Sequence, residues 1–255
     1  MDAELTIDGA QVTAPAGASL LDVARGAGRD IPALCHHEAV PAIASCRLCL
    51  VELRRPGRDW VQLTTSCDYP VSDGLVVVTD SPRIRKHRSM NLQLLLRRAP
   101  DAPALRRLAE QLGATESLFV PVADAPLPGC ILCELCVRVC AALEYSALAA
   151  TGRGDHKSVG LPPFGRDGAT DCVGCGSCHE ICPTDCIAMK DTATTLTIWG
   201  RTFELLDCAR CGRTITTAAH ARAMAADVDL PAKGSALCDR CKARLTGGRL
   251  VTPAR

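Results

Sequence analysis

The stretch Cys172-Val-Gly-Cys175-Gly-Ser-Cys178-His-Glu-Ile-Cys182-Pro183 separates four cysteines by two, two and three residues. This spacing, with proline after the last cysteine, is typical of a segment that supplies thiolate ligands to a [4Fe–4S] cluster. Gly174 and Gly176 allow the tight turns that bring the first three sulfurs together. We therefore predict that this part of the chain is organised around an iron–sulfur cluster.

A second run with the same spacing occurs earlier in the chain, with alanine in place of the proline. In domains that hold two [4Fe–4S] clusters, the fourth cysteine of each run ligates the other cluster. The predicted ligands of the first cluster, here called the first cubane site, are Cys130, Cys133, Cys136 and Cys182. The predicted ligands of the second cubane site are Cys172, Cys175, Cys178 and Cys140. A pair of zinc knuckles is the alternative, which the repeated spacing disfavours.

The composition limits the classes of function. The chain has 255 residues, 17 cysteines, and 29 basic against 28 acidic residues, and this balanced charge argues against a general nucleic-acid binder. The N-terminus lacks the features of a signal peptide, and no apolar run approaches the roughly 18 residues of a membrane span. We expect a cytoplasmic protein without a membrane span, whose thiols bind metal instead of forming disulfides.

The first 80 residues predict a small α+β domain. They contain a hairpin over residues 4–14 around Asp8-Gly9, a short helix capped by Ser19, and strand-like runs at residues 48–53 and 75–78. Four cysteines lie in the predicted loops, at Cys35, Cys46, Cys49 and Cys67. Their first gap is longer than in plant-type ferredoxins, but one long loop with three ligands and a late fourth ligand predicts a [2Fe–2S] cluster.

The histidines beside Cys35 raise the alternative of a Rieske centre, in which two histidines replace two cysteines. Four cysteines are already present, and His36 and His37 are neighbours in one loop, so their rings cannot easily reach the same iron. We therefore favour ligation by four cysteines.

Two helices are predicted after this domain. Ser81-Pro82 predicts the start of a helix over residues 83–98, and Asp101 is predicted to cap a second helix that stops at Gly113. The first turns of the earlier helix carry four basic residues: Arg83, Arg85, Lys86 and Arg88. We interpret them as a solvated face, with a docking surface for an acidic partner as the alternative.

The C-terminal part contains two Cys-x2-Cys pairs separated by 26 residues, Cys208 and Cys211 followed by Cys238 and Cys241. Two such pairs suit tetrahedral coordination of zinc by four sulfurs, with rubredoxin-type iron as the alternative. A short helix over residues 217–226 is predicted between them, with His220 on its surface and not a ligand. Cys186 is left over and is expected to be a small buried side chain beside a cluster, with a redox or ligand role as the less favoured alternative.

The order of these motifs resembles one family. The similar stretches are residues 31–38, 45–52, 70–78, 83–96 and 129–140. They resemble the N-terminal part of the complex I large iron–sulfur subunit and the iron–sulfur subunits of NAD-reducing hydrogenase diaphorases. The resemblance implies two partners in a hetero-oligomer, a flavin- and NAD(P)-binding diaphorase subunit and a catalytic subunit of the hydrogenase or formate dehydrogenase type.

One departure from the family lies between the [2Fe–2S] and cubane motifs. The family carries a further [4Fe–4S] cluster there, bound by one histidine and three cysteines. This chain has no cysteine from residue 68 to 129, and its aligned residues 98–105 read RAPDAPAL. His87 alone cannot replace three thiolates, so we expect this cluster to be absent.

The predicted fold is α+β and has four parts. These are a ubiquitin-like [2Fe–2S] domain (1–80), a helical linker (81–120), a bacterial ferredoxin-like domain with two [4Fe–4S] clusters (121–195) and a zinc-ribbon or rubredoxin-like domain (196–255). No dinucleotide fingerprint, P-loop or nucleophile elbow is evident, so no catalytic site is predicted. We predict an electron-transfer subunit of an NAD(P)-linked oxidoreductase, with a redox-sensing or scaffold protein as the alternative.

Overall fold

The computed structural model describes residues 1–114, 118–122, 125–162, 171–226 and 236–243. Strands β1 (Asp2–Ile7) and β2 (Ala10–Pro15) form the predicted hairpin. Asp8 and Gly9 connect them with φ of 49° and 83°, the positive values that a two-residue type I′ turn requires. The prediction of this hairpin is confirmed.

The N-terminal sheet has five strands in the order β2-β1-β5-β3-β4, where β3 is Leu50–Arg54, β4 is Gln62–Thr65 and β5 is Val76–Val78. β1 and β5 are parallel, and the other pairs are antiparallel. Sequence reasoning missed β4 because its four residues include one apolar side chain, Leu63. This edge strand is held by its pairing with β3.

Helix α1 (Leu20–Gly26) covers this sheet. The Ser19 side chain accepts a hydrogen bond from the backbone N–H of Asp22 at 3.4 Å, which confirms the predicted N-cap. Leu20, Leu21 and Ala24 are fully buried in a core shared with β1, β3 and β5. This packing closes the small domain on one face of the sheet.

Helices α2 (Pro82–Arg98) and α3 (Pro103–Gln111) follow. The Ser81 side chain accepts a hydrogen bond from Ile84 N–H at 3.1 Å, as predicted. The predicted Asp101 cap of α3 is wrong. The N-cap is Ala102 without a side-chain hydrogen bond, because Pro103 has no N–H and its fixed φ already suits the first helical position.

Arg88 corrects the interpretation of the basic turns of α2 as a solvated face. Its side chain is buried, with 4% of the residue exposed, and it donates hydrogen bonds to the carbonyls of Leu50 at 2.7 Å and Thr79 at 3.1 Å. Burial lowers the pKa of its guanidinium. Arg88 therefore fastens α2 to the sheet, whereas Arg85 is exposed and pairs with Asp80.

The rest of the described chain repeats a short helix followed by an antiparallel pair of strands. Helix α4 (Leu135–Ala142) precedes β6 (Ala149–Thr151) and β7 (Ser158–Gly160). Helix α5 (Ser177–Glu180) precedes β8 (Met189–Asp191) and β9 (Thr195–Ile198). Each helix begins inside one cysteine run, so the repeat in structure follows the repeat in sequence.

The C-terminal strands extend the second of these pairs. β10 (Arg201–Asp207) and β11 (Thr214–Thr217) join β8 and β9 in a sheet of order β11-β10-β9-β8. This sheet continues across residue 195, where sequence reasoning divided two domains. Helix α6 (Ala218–Ala226) follows β11, close to the predicted position. In the described ranges, no helix has both the length and the apolar character needed to cross a membrane.

Candidate iron–sulfur and metal sites

The four cysteines predicted for the [2Fe–2S] cluster converge in the N-terminal domain and are all buried. The N–H groups of Cys46 and Leu34 point at the sulfurs of Cys35 and Cys46, at 3.3 and 3.5 Å. Hydrogen bonds from the thiols of Cys46 and Cys67 lower the pKa of Cys35, and a bond from Cys67 lowers the pKa of Cys49. Buried sulfurs within hydrogen-bond reach of one another suit a shared metal centre.

The two adjacent histidines are engaged elsewhere. His36 Nε2 lies 3.0 Å from Asp22 Oδ1, and the His37 ring accepts a hydrogen bond from the N–H of Ala39 at 3.1 Å. Each contact uses one ring nitrogen, and the buried Nδ1 of His36 has no hydrogen-bond partner among the described residues. Ligation by four cysteines stays a prediction.

The two cubane motifs line two separate cavities. The cysteines of one are Cys130, Cys133, Cys136, Cys182 and Cys186. The cysteines of the other are Cys140, Cys172, Cys175 and Cys178. Each cavity thus combines three cysteines of one run with the fourth cysteine of the other, as the predicted exchange of ligands requires.

The pKa values of the thiols in these cavities differ, since a hydrogen bond with Cys186 lowers the pKa of Cys130, whereas burial acts in the opposite direction on several others. Burial raises the pKa of Cys133 to about 11, of Cys136 to about 12 and of Cys178 to about 11. Without a cation, such thiols hold their protons at neutral pH, and a bound metal displaces them. The donors of each cavity are of the type that a [4Fe–4S] cluster takes, with four thiols in the second cavity and five in the first.

The C-terminal sheet braces the second cubane site. Thr217 at the end of β11 donates its hydroxyl hydrogen bond to the carbonyl of Val173, inside the cysteine run. Gly174 has a φ of 67°, and a Cβ there would lie 2.5 Å from the ring of Phe203 on β10. Only glycine fits this close approach of sheet and loop.

Sequence reasoning missed Trp199, which contacts the second cubane site. It lies in the turn between β9 and β10 and donates its indole N–H to Cys178 Sγ at 3.3 Å. No local pattern identifies this role, because the two residues are 21 positions apart and meet only through the folding of β9 over the cysteine run.

His220 lies on α6, as predicted, and is partly buried there. Its Nδ1 lies 2.7 Å from the hydroxyl of Thr216, and its ring meets that of Tyr145 edge to face at 5.8 Å. Burial lowers the pKa of His220. Because Tyr145 also lines the second cubane cavity, this contact joins α6 to that site.

The four C-terminal cysteines form a much tighter group. The sulfurs of Cys208, Cys211, Cys238 and Cys241 all lie within 4.8 Å of one another. Four bonds of about 2.3 Å to one tetrahedral zinc place sulfurs roughly 3.8 Å apart, so the group fits a single ion. Cys211 is exposed, whereas the other three are buried. No other metal-binding group of this kind occurs in the part of the chain that the structure describes.

Arg138, which sequence reasoning did not single out, joins the [2Fe–2S] loop to the first cubane site. Its Nη2 donates hydrogen bonds to the carbonyl oxygens of Cys35 at 2.9 Å and Cys133 at 3.0 Å. Its Nη1 donates to the carbonyl of Pro41. The hydroxyl of Ser45 donates to the carbonyl of Leu132 at 3.0 Å. The two ligand loops are therefore in direct contact.

Groups of cysteines held by loops, with N–H donors aimed at several of the sulfurs, are typical of an iron–sulfur protein. Residues 2–82 match the family described as "2Fe-2S iron-sulfur cluster binding domain". This match confirms the prediction of a [2Fe–2S] domain at the N-terminus.

The relatives include subunits of different oxidoreductases. The NADH-ubiquinone oxidoreductase 78 kDa subunit of Candida albicans is 31% identical over 186 residues, 62% of this chain and 25% of the relative. The NADP-reducing hydrogenase subunit HndD of Solidesulfovibrio fructosivorans is 33% identical over 208 residues, 71% of this chain and 35% of the relative. The chain thus spans about a quarter to a third of the length of these curated relatives.

A solved structure gives a match that is more complete in length. The crystal structure of NAD+-reducing [NiFe]-hydrogenase in the H2-reduced state contains a chain 32% identical to this one, with a TM-score of 0.61. The match covers 72% of this chain and 85% of that one. This chain belongs to the family of iron–sulfur subunits shared by complex I and NAD(P)-linked hydrogenases, as the sequence motifs predicted.

Proposed function

We propose that this chain relays single electrons within a multi-subunit NAD(P)-linked oxidoreductase. It would receive them from, or return them to, a flavin- and nicotinamide-binding diaphorase subunit, and exchange them with a catalytic subunit of the hydrogenase or formate dehydrogenase type. Family membership supports this role, and the contact between the two ligand loops across Arg138 is the observation that carries it.

The proposal includes a ligand assignment. The [2Fe–2S] cluster is bound by Cys35, Cys46, Cys49 and Cys67. The first cubane is bound by Cys130, Cys133, Cys136 and Cys182. The second cubane is bound by Cys172, Cys175, Cys178 and Cys140. When bound, these clusters supply reversible one-electron chemistry, and the chain contributes burial, N–H donors to sulfur and spacing between sites.

Arg138 supports the relay by holding two sites together. Its guanidinium donates at once to the backbone of a proposed [2Fe–2S] ligand and of a proposed first cubane ligand. Because the carbonyls that it bridges belong to Cys35 and Cys133, one side chain connects the two ligand loops. This contact supports direct electron transfer between the two proposed sites, without the family's histidine-ligated cluster between them.

The proposed absence of the family's histidine-ligated cluster agrees with the packing of residues 98–105. Ala99, Ala102 and Leu105 are buried in one hydrophobic cluster that also contains Cys35 and Cys133. His87 lies exposed on α2. Apolar side chains therefore fill the space beside the two ligand loops.

For the C-terminal group we propose a structural zinc bound by Cys208, Cys211, Cys238 and Cys241. Its compactness supports one ion, and its sheet contacts the second cubane site through Thr217. We also propose the four-part division at residues 1–80, 81–120, 121–195 and 196–255, with one sheet connecting the last two parts.

The relay is tested by reduction of the complex with NADH or NADPH under anaerobic conditions. In the wild type, EPR should show reduction of the cubanes after the nucleotide is added. In Cys67→Ala, which lacks one [2Fe–2S] ligand, reduction of the cubanes by the nucleotide should fall at least tenfold in rate, whereas dithionite should still reduce them.

Trp60→Phe is the matched control, because Trp60 is 55% exposed. If the cubanes of Cys67→Ala were reduced by the nucleotide at the wild-type rate, the proposed order of transfer, from the [2Fe–2S] cluster to the cubanes, would be wrong. If the chain purified without a diaphorase partner and accepted no electrons from one, the relay itself would be refuted in favour of a sensor or scaffold.

A further inference from the structure

The cavity of the first cubane site contains five cysteines, although a [4Fe–4S] cluster takes one thiolate at each of its four irons. The fifth is Cys186, whose Sγ lies 3.6 Å from that of Cys182. The Cys186 thiol also hydrogen-bonds to Cys130. The extra sulfur thus contacts two of the four proposed ligands. The second cubane cavity is lined by only four cysteines and has no such extra thiol among the described residues.

Two residues with positive φ lie beside Cys186, one next to it in sequence and one next to it in space. Asp185, the preceding residue, has a φ of 53°, a left-handed value that is uncommon for residues other than glycine. Gly129 has a φ of 82°, and a Cβ there would lie 3.2 Å from the Cβ of Cys186. The absence of a side chain at Gly129 leaves room for the fifth thiol beside Cys130.

We propose that Cys186 is an alternative ligand of the first cubane and replaces Cys182 at the same iron, an inference that rests on the proposed ligand assignment. In the exchange, the bond from iron to the Cys182 sulfur breaks and a bond to the Cys186 sulfur forms. The proton of the Cys186 thiol moves to the Cys182 sulfur. No electron is transferred, and the charge of the site is unchanged.

The contact between the two sulfurs makes this exchange local. At 3.6 Å, the S–H of one thiol can donate directly to the other sulfur, so the proton needs no water or base. The hydroxyl of Thr184 lies 3.7 Å from Cys182 Sγ and can hydrogen-bond to the sulfur that leaves the iron. The consequence is a cluster that survives the loss of one ligand.

Four variants test the proposal through iron content and the EPR signal of each cluster. Cys182→Ala and Cys186→Ala should each keep the first cubane, and the double variant should lose it with about four iron per chain. Cys140→Ala is the matched control, because its cavity has no spare thiol and the second cubane should be lost. These measurements need no electron-transfer partner, so they test the role of Cys186 even if the proposed electron-transfer function is refuted.

The proposal is overturned if Cys182→Ala loses the first cubane as completely as Cys140→Ala loses the second, or if Cys186→Ala alone loses it. The [2Fe–2S] signal reports whether each variant has folded.

A measurement on the wild type avoids dependence on folding of the variants. Anaerobic iodoacetamide treatment of the loaded protein, followed by peptide mapping, should find label on Cys182 in some chains and on Cys186 in others. Label on only one of the two, or on neither, would show that the ligands do not exchange and would overturn the proposal.

Discussion

The indole N–H of Trp199 donates a hydrogen bond to the sulfur of Cys178 at 3.3 Å. Trp199 has a φ of 54°, in the left-handed region where a bulky residue is rare and backbone strain of about 1–3 kcal/mol is typical. The turn between β9 and β10 therefore holds an unfavourable conformation that directs the indole to a proposed ligand of the second cubane.

Trp199→Phe should lower the reduction potential of the second cubane. A hydrogen bond to a ligand sulfur stabilises the more negatively charged reduced state, and phenylalanine keeps an aromatic ring but has no donor. An EPR-monitored redox titration should show this shift in one cubane, with the other two signals unchanged. Trp60→Phe serves as the control, and an unaltered midpoint in Trp199→Phe would mean that the hydrogen bond does not tune the cluster.

Arg138→Met should slow electron transfer between the [2Fe–2S] and first cubane sites, because the variant keeps the aliphatic stem and loses every donor to the two loops. Freeze-quench EPR after rapid reduction should show the delay as a larger [2Fe–2S] signal at early times. Loss of hydrogen bonds from a charged group should also destabilise the fold by about 2 kcal/mol or more.

Arg106→Met provides the comparison for Arg138→Met, since Arg106 is exposed on α3. Equal transfer rates in the two variants would contradict the role of Arg138 in holding the loops together.

Leu105→Ala should destabilise the protein by about 2–5 kcal/mol. Leu105 is fully buried in the hydrophobic cluster beside Cys35 and Cys133, so truncation opens a cavity next to two ligand loops. The measurement is the urea midpoint under anaerobic conditions. Leu94→Ala, at a position 45% exposed on α2, should change it by much less. Similar shifts for both variants would show that the cluster around Leu105 carries little stability.

Anaerobically purified protein should contain about ten iron and about one zinc per chain, which is two iron in the [2Fe–2S] cluster and four in each cubane. Elemental analysis distinguishes the alternatives. About eleven iron without zinc would assign a rubredoxin-type iron to the C-terminal group. About fourteen iron without zinc would contradict both the proposed zinc site and the proposed absence of the histidine-ligated cluster.

Much of the fold is predictable where the controlling chemistry is local. Asp8-Gly9 predicts a hairpin because few residue pairs accept positive φ twice in succession. Ser19 and Ser81 predict helix starts because a hydroxyl can accept the free N–H groups of a first turn. Asp101 is not the cap of α3 because Pro103 sets the start of that helix by itself. Strand β4 was not predicted because its pairing with β3, and not an apolar pattern, stabilises it.

The arrangement of the sites depends both on the spacing of cysteines in the sequence and on the tertiary structure. The spacing of cysteines within each run determines that three sulfurs of a short loop can face one cluster, since only two or three residues separate them. The spacing also indicates which cysteines to assign to which cluster, and this assignment stays a prediction that the two cavities support. Arg88 shows the limit of such reasoning, because a basic residue in a charged turn is expected to be solvated, yet Arg88 is buried against β3.

The sequence by itself indicated the family and predicted the ligand types and the order of the sites. Only the tertiary structure decided the contacts between sites, such as Arg138 with Cys35, Trp199 with Cys178 and Thr217 with Val173. Their partners are 103, 21 and 44 residues apart, so no local pattern relates them. Such contacts exist because packed helices and sheets bring distant loops to one place, where a side chain from one loop can hydrogen-bond to another.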